Sequence, residues 1–512
     1  MTTPAASRTA IEKLIARRDA GCRLAALIGD GDIASGLTVH AVMTARPATA
    51  QPDLGAQVAG DAADGGYEVT DFRLAPGQDA FASLAADFPG AAWYERRLQD
   101  LYGITVVGGP AYDPLVLPRG PGARPPSPGS GIAPESIEPD ETRLAPAVDG
   151  RGVFTIPYGP VRGGVTESVE YSVETPGEDI LRLGVRLHAK HRGIENRFES
   201  MNMYDGALLA ERVEGIASVA HTIAYCRAVE RICDVDVPVA AELVRVVHAE
   251  LERIANHLDV AMKAADGAAL AVAVARFGWH KECVLRMVNT LCGNRFGRSV
   301  VIPGGVSASW PTKGLPATLD TDLARLRRDI DGDAKSLMGT ASFLDRMRTT
   351  GPLRAEDARA YGALGPVARG SGFDDDTRWH RPYGAYWVLT PHRGPARTAG
   401  DALSRLRVRF DEVAESFELI TEALRMFGDE RGPLRAEIRP SAGLAVGAAE
   451  APQGEVLYLV RLGADGRVLR CAPRSASFVN LSVFPLTFVG DIFTDFVFNE
   501  ASFGVSIAGA AM

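Results

Sequence analysis

The amino-acid sequence predicts an α+β fold, with a small α+β amino-terminal domain followed by a large helix-bundle domain with β-rich flanking segments. Residues 119–150 are rich in Pro, Gly and Ser and lack hydrophobic periodicity, which is typical of an extended linker. Long segments after Asp205 carry apolar residues at helical spacing, and strand-like runs return near the carboxyl terminus. These observations divide the chain into domains 1–118 and 151–512, joined by the linker.

The amino-terminal domain shows both helical and strand-like patterns. Residues 9–26 have the periodicity of a helix, whereas the runs LTVHAVMTA and GYEVTDFRLA alternate like strands. The mixture predicts an α+β unit.

The large domain opens with a hairpin pattern, because residues 170–174 and 179–187 flank a turn that contains Pro176 and Gly177. The runs GEVLYLVRLG and RVLRCAP predict late strands. A helix bundle with strands at its flanks accommodates this order of elements. Amphipathic helices are predicted at 208–229, 238–264, 269–292, 316–346 and about 400–427.

Composition excludes several classes of function. The 512 residues are 46% hydrophobic and 23% charged, as in globular proteins, and the net charge of −9 without a Lys/Arg run argues against nucleic acid as a partner. The six scattered cysteines form no C-x-x-C pair, which indicates a reduced cytoplasmic protein that holds no cluster by itself. The longest apolar stretch, Ala268 to Ala275, is too short to span a bilayer, so membrane association would depend on partner subunits.

Charged residues in the predicted helical region suggest buried ion pairs. Arg192 and Glu195 follow the second predicted strand, and we expect them to lie together at a buried strand–helix corner. Glu250, Arg253 and His257 share one face of a predicted helix, which indicates an interhelical ion network.

Several segments, by their order and spacing, carry a family resemblance. These segments are WYERRLQDLYGI (93–104), ERVEGIASVAH (211–221), CGNR (292–295), PGGV (303–306), GPVARGSG (365–372), DTR (376–378), PY (382–383), LRVRFDE (406–412) and SFVN (477–480). From residue 211 onward they resemble the large subunits of membrane-bound nickel–iron hydrogenases, such as the one in formate hydrogenlyase, and equally the D subunit of NADH-quinone oxidoreductase. Residues 93–104 resemble the signature of the C subunit, so the resemblance covers nearly all of the chain except the linker and implies a fused C/D-type subunit with a hydrogenase large-subunit-like fold.

The sequence departs from the hydrogenases where the metals would bind. In those proteins a motif R-V-C-G-I-C-G-F-A-H and a late segment S-L-D-P-C-x-x-C supply four thiolates, which nickel and low-spin iron require. The matching positions here hold Glu214, Ala217, Ser506 and Gly509. The resemblance therefore implies that this chain has no metal site and no cofactor of its own.

The quinone-reducing relatives use a His in the first hairpin and a Tyr near the first former cysteine. Thr166 and Gly215 take these places, so a quinone headgroup would lose both proton-donating partners. Acidic and histidine residues nevertheless persist on neighbouring segments, and they suit either a buried proton path or a purely structural polar network. These residues are Arg192, Glu195, Glu214, His221, Glu250, Arg253 and His257.

The leading hypothesis is a subunit without independent catalysis in a complex-I-like or hydrogenase-like assembly. The resemblance implies that it docks an iron–sulfur subunit, which would hold the 4Fe-4S cluster, and connects it to membrane antiporter-like and anchoring subunits. We expect a peripheral position on the cytoplasmic face of the membrane. One alternative is a redox-active large subunit that reduces quinone or another small acceptor in the altered cavity, and another is a stand-alone scaffold protein.

Overall fold

The computed structural model describes residues 5–45, 66–117, 147–163, 167–308, 310–311, 314–389, 394, 397–430, 432–488 and 490–512. Most of the linker predicted at 119–150 lies outside these residues, as does Thr166. Among the helices that the structure describes, none combines the length and the apolar character needed to cross a membrane.

The amino-terminal elements form a three-stranded antiparallel sheet with two helices. Helix α1 (Ala5–Asp19) precedes strands β1 (Leu24–Asp32), β2 (Gly36–Thr44) and β3 (Tyr67–Leu74), and α2 (Ala91–Tyr102) packs against β1. A short parallel pair, β4 (Ala80–Ala82) and β5 (Thr105–Val107), completes this part.

The prediction of one helix over residues 9–26 is wrong at its carboxyl end. Helix α1 stops at Asp19, and the chain turns at Gly21, whose φ of +89° is one that other residues rarely adopt. Residues 25–28 then enter β1, where they are buried.

A second antiparallel sheet contains the predicted hairpin. Its strands are β6 (Phe154–Tyr158), β7 (Glu170–Thr175) and β8 (Arg182–Arg186), in that order. Two short helices follow, α3 (Ile194–Phe198) and α4 (Met203–Ala210).

The helix bundle is built around α6 (Val239–Gly267), which packs along α7 (Ala271–Cys292) and α13 (Ala402–Asp429). Smaller elements surround these helices: strands β9 (Val301–Ile302) and β10 (Gly305–Val306), and helices α9 (Ala341–Met347), α10 (Ala355–Tyr361), α11 (Gly365–Gly370) and α12 (Thr377–His380). The long helices are α5 (Ser218–Ile232), α6 (Val239–Gly267), α7 (Ala271–Cys292), α8 (Leu319–Met338) and α13 (Ala402–Asp429).

Two of the predicted helices are interrupted. Residues 208–229 form the end of α4 and most of α5, separated by an irregular loop at 211–217, and residues 316–346 form α8 and α9 with a break at Gly339. The loop at 211–217 leaves the helical path because tertiary contacts satisfy its backbone. Arg192, for example, donates hydrogen bonds to the carbonyls of Arg212 and Val213 at 3.1 and 2.6 Å.

The carboxy-terminal part contains a third antiparallel sheet of β11 (Gly443–Ala451), β12 (Gly454–Leu462) and β13 (Val468–Arg474). Helix α5 lies on this sheet, and a side chain at Gly447 would collide with the backbone of α5. Helices α14 (Ala476–Val483), α15 (Phe496–Phe503) and α16 (Ile507–Ala511) bring the end of the chain back to the 211–217 loop.

Buried polar contacts join the amino-terminal elements to the rest of the chain. Arg23 donates from Nε to Asp375 Oδ2 at 2.9 Å and from Nη2 to Glu455 Oε2 at 2.8 Å. Tyr67 donates its hydroxyl to Glu455 Oε2 at 2.6 Å. Apolar residues of β1, β2 and α2 also share one buried cluster with residues of α14 and β12, such as Phe478. The two parts therefore pack as one body in this region.

Candidate functional site

Glu214 stands in the loop at 211–217, at the first position for which the sequence resemblance implies a lost metal ligand. Its side chain is 1% exposed, and both oxygens have side-chain partners. Oε2 lies 3.1 Å from His221 Nε2, and Oε1 accepts a hydrogen bond of 2.8 Å from Ser477 Oγ. A buried carboxyl with this many donors is well satisfied.

His221 links Tyr458 to Glu214. Tyr458 Oη lies 2.8 Å from His221 Nδ1, and burial raises the pKa of Tyr458 well above its ordinary value, so the phenol keeps its proton. His221 Nε2 lies 3.1 Å from Glu214 Oε2. The three side chains therefore form one buried chain of hydrogen bonds.

The carboxyl-terminal former ligand positions lie against Glu214. A Cβ atom added to Gly509 would be 2.6 Å from Glu214 Cδ and closer still to Oε2. Ser506 is linked to Glu214 by two hydrogen bonds through Ser477, because its backbone N–H donates to Ser477 Oγ at 3.0 Å and that hydroxyl donates to Glu214. The Glu214 carboxyl therefore fills the space in which a side chain at position 509 would stand.

Ser506 and Ala217 have local structural roles. Ser506 Oγ accepts from Gly509 N at 3.2 Å at the start of α16 and donates to Glu167 Oε1 at 2.9 Å. Ala217 is fully buried just before α5. Over the described part of the chain, no group of three or more His, Cys, Asp or Glu side chains is placed to hold a metal ion.

The expected pairing of Arg192 with Glu195 is wrong. Gly193 adopts a left-handed φ of +63° between them, and the two side chains diverge. Arg192 donates to the carbonyls of Val213 and Ala508, at 2.6 and 2.9 Å, and so ties the 211–217 loop to α16. Glu195 instead pairs with Arg97 of α2 and Arg470 of β13. Burial acts to raise the pKa of Glu195, but the two guanidinium groups outweigh it and hold the pKa below its ordinary value.

Glu250 and Arg253 lie together in a buried ion network, as expected from their spacing on α6. Arg253 Nε donates to Glu250 Oε2 at 3.0 Å, and Arg378 Nη1 reaches both oxygens of Glu250 at 3.2 Å. Tyr386 and Ser416 each donate a hydroxyl to Glu250 at 2.6 Å. Burial acts to raise the pKa of Glu250, yet Arg253 and Arg378 hold it below the ordinary value, so this carboxylate stays charged.

His257 extends the same network toward α13. Its Nε2 lies 2.9 Å from Glu412 Oε2, and Arg409 Nη1 donates to its Nδ1 at 3.1 Å. Burial lowers the pKa of His257 to about 4, so the ring is neutral near pH 7 and its Nε2–H donates to Glu412. The prediction that His257 belongs to a polar network therefore agrees with the geometry.

Sequence reasoning missed several members of this network. Burial raises the pKa of Glu415 to about 7 and that of Glu450 to about 8, which makes both acids able to hold a proton near neutrality. Arg378 and Glu412 stand inside segments that matched the family, and that match was the one available signal for them. Their proximity to α6 depends on chain folding and has no local signature.

Gly215, at the position for which the resemblance implies a lost tyrosine, lines a cavity of about 150 Å³ between α6, α7 and the start of α5. Glu214 is not part of the lining of this cavity. A Cβ atom on Gly215 would have no neighbour within 4 Å. Thr166, the former histidine position, is not among the described residues.

Comparisons with known proteins match two parts of the chain to two family models. Residues 267–440 match the 49 kDa subunit of respiratory-chain NADH dehydrogenase, and residues 69–126 match the 30 kDa subunit of the same enzyme.

Individual relatives match over most of their length. The carbon monoxide-induced hydrogenase of Rhodospirillum rubrum is 32% identical over 67% of this chain and 94% of its own length. The alpha subunit of the membrane-bound hydrogenase of Pyrococcus furiosus is 31% identical over 68% of this chain and 84% of its own. The D subunit of NADH-quinone oxidoreductase from Prosthecochloris aestuarii is 32% identical over 63% of this chain and 83% of its own.

Proposed function

The chain belongs to the family that unites the D subunit of NADH-quinone oxidoreductase with the large subunits of membrane-bound hydrogenases, and on that premise we propose how it serves its complex. The family resemblance and the α+β fold class predicted from the sequence are confirmed. The chain is accordingly a subunit of an oxidoreductase complex of this type.

We propose that this protein has no nickel–iron centre. The observation that carries the proposal is the Glu214 carboxyl, which fills the space beside Gly509 and is bound by His221 and Ser477. A carboxylate, a methyl group, a hydroxyl and a hydrogen stand where four thiolates are needed, so the donor set does not fit the metals. The protein then contributes positioning and polar contacts instead of metal chemistry.

In this proposal the protein docks an iron–sulfur subunit that holds a 4Fe-4S cluster, and links it to membrane antiporter-like and anchoring subunits. It lies peripherally on the cytoplasmic face, a position consistent with its six free cysteines. Residues 1–118 serve as a C-subunit-like domain and residues 151–512 as a D-subunit-like domain. The relatives named as membrane-bound hydrogenase and NADH-quinone oxidoreductase subunits support this arrangement.

The polar network is proposed to hold protons inside the protein. Glu415 and Glu450 support this role, because their pKa values of about 7 and about 8 allow protonation near neutral pH.

Metal analysis of the purified intact complex tests the main proposal. We expect only traces of nickel per copy of this chain, and we expect cells grown without nickel to yield complex of unchanged electron-transfer activity. One nickel per chain, or activity that falls with nickel depletion, would refute it.

A second candidate function is reduction of quinone or another small acceptor, and the open cavity beside Gly215 favours it. In the intact complex, Gly215→Leu would fill the cavity and slow quinone reduction, whereas Gly215→Ala, whose Cβ would have no neighbour within 4 Å, would leave most of the cavity open and slow it less. Equal rates in the parent and Gly215→Leu would count against this function.

A further inference from the structure

The cavity beside Gly215 has mostly apolar walls and contains one acid, Glu252, that forms no ion pair within the described residues. Its volume is about 150 Å³, enough for a small organic molecule. It lies between α6, α7, the start of α5 and the loop after α7. The apolar side chains in its wall are Ile216, Val219, Leu251, Leu285, Val288 and Phe296.

Glu252 is the acid in this wall. Its Oε2 accepts a hydrogen bond of 2.7 Å from Val219 N, and its Oε1 accepts one of 3.1 Å from Ala220 N. Within the described residues it forms no ion pair. Neighbouring Arg253 is committed to Glu250 and to the backbone carbonyls of β11. Glu252 is therefore a carboxyl without an ion-pair partner among the described residues, although the charge of Arg253 acts to lower its pKa.

The surroundings of Glu252 favour its neutral form. Burial raises its pKa to about 8, although the two backbone amides act in the opposite direction. At the cavity mouth, Lys281 is paired with Asp259 at 2.7 Å and Arg295 with Glu282 at 2.6 Å. The titratable and charged groups around Glu252 are Glu214 before α5, His248, Arg253 and Asp259 on α6, Lys281 on α7, and Arg295 in the following loop.

His248 adds no positive charge to the wall. Trp310 Nε1 donates to His248 Nε2 at 2.7 Å, and burial lowers the pKa of His248 to about 4. The ring is therefore neutral near pH 7 with its proton on Nδ1.

We propose that this cavity binds a small neutral molecule carrying a hydrogen-bond acceptor, such as a carbonyl compound, and that Glu252 donates the hydrogen bond that holds it. As a neutral acid Glu252 has one O–H to donate while its oxygens accept from the backbone amides. An anionic ligand would meet no unpaired cation among the residues that line the cavity, and a purely apolar ligand would leave the O–H that faces it without a partner. The inference deepens the second candidate function, since it names the donor group of the same cavity.

Cyclohexanone is a suitable probe, because it is neutral, compact and carries one carbonyl acceptor. Binding to the intact complex is measured by ligand-observed NMR between pH 6 and 9.5, with cyclohexanecarboxylate as the anionic comparison. We expect cyclohexanone to bind with constant affinity below pH 7 and to weaken about tenfold per pH unit above the pKa of Glu252. The carboxylate probe is expected not to bind.

Three variants distinguish the contribution of the Glu252 hydrogen bond to binding from that of the cavity volume. Glu252→Gln keeps an N–H donor and should bind cyclohexanone without the pH dependence, whereas Glu252→Ala should bind several-fold more weakly. Gly215→Leu should abolish binding, since its side chain enters open space.

Absence of cyclohexanone binding to the folded parent complex would overturn the inference. So would binding that Gly215→Leu leaves intact, a pH dependence that survives in Glu252→Gln, or equal binding of the carboxylate. These outcomes are distinct from failure of the proposed function, because a probe can bind without being reduced and nickel content does not depend on it.

Discussion

Glu214 and Gly215 are consecutive in the chain, yet the two sides of their loop differ completely. On the Glu214 side, the carboxyl meets Gly509 and leaves no room for another atom. On the Gly215 side, the absent side chain opens onto a cavity of about 150 Å³. One loop thus fills the space beside Gly509 with a carboxyl and leaves the cavity beside Gly215 open.

Glu214 and Glu252, the acids on the two sides, differ in their hydrogen-bond partners and therefore in their roles. Glu214 is held by the side chains of His221 and Ser477 and is committed on both oxygens. Among the described residues, the hydrogen-bond donors to Glu252 are two backbone amides, and burial raises its pKa to about 8. The same residue type therefore fills space on one side and, on the other, is an acid held by the backbone without an ion pair.

Adding a side chain at the closed side should have the largest effect. Gly509→Cys would force its Cβ into the Glu214 carboxyl, and overpacking of this kind costs about 3 kcal/mol. Chemical denaturation measures the loss, with Gly215→Cys on the open side as the matched control. Combining Gly509→Cys with Glu214→Ala should recover much of the stability. Equal stability of the two single cysteine variants would contradict the contrast between the sides.

Removing the Glu214 side chain should have a smaller effect on the free energy of unfolding. Glu214→Ala would leave Nε2 of His221 and the hydroxyl of Ser477 without partners in a buried site, which costs about 2 kcal/mol. Glu214→Gln preserves the volume and should cost less. The free energy of unfolding of both variants measures this difference, and a cost for Glu214→Ala below that of Glu214→Gln would argue against the assigned hydrogen bonds.

The ionisation of Glu252 should make the free energy of unfolding depend on pH. Glu252 has a pKa of about 8 in the folded state against an ordinary value of 4.5. At a pH between these two values, the folded state keeps the proton of Glu252 and the unfolded state has lost it. The free energy of unfolding of the parent should therefore fall relative to Glu252→Gln as pH rises from 5 to 7, by at most about 1.4 kcal/mol per pH unit. A difference between the two proteins that is independent of pH would show that Glu252 is already ionised.

Filling the open side should have the smallest effect. Gly215→Leu places its side chain in a cavity where no atom lies within 4 Å of the new Cβ, so the free energy of unfolding should change by less than about 0.5 kcal/mol. Thermal unfolding of the purified protein is sufficient to measure it. A loss as large as that of Gly509→Cys would mean that the cavity is not accessible to residue 215.

The regular helices of the bundle were predictable, whereas the loop that builds the site was not. Helices α6 and α13 follow apolar periodicity over many turns, which is a strong local signal. The loop at 211–217 was missed because Arg192, remote in sequence, binds its carbonyls. Strand β11 was missed because its Gly/Ala-rich sequence lacks alternation and is buried only through contact with α5.

The residues of the candidate site were partly predictable from the sequence, whereas the contacts between them were not. The family motifs identified Glu214 and Gly509 as former ligand positions, but their contact depends on the path of the carboxyl terminus. Ser477 lay within a matched segment without any indication that it binds Glu214, and Tyr458 had no signal at all. Residue identity can be aligned from sequence, whereas proximity across the fold cannot.

The buried contacts of Arg23, Tyr67 and Arg97 with Glu455 and Glu195 have a consequence for how the complex is made. The two matched family models are named for separate 30 kDa and 49 kDa subunits, and here both lie on one polypeptide. These charged contacts would orient the two parts even if they were synthesised as separate chains. What fusion adds is a fixed one-to-one stoichiometry, with each ribosome delivering both partners together.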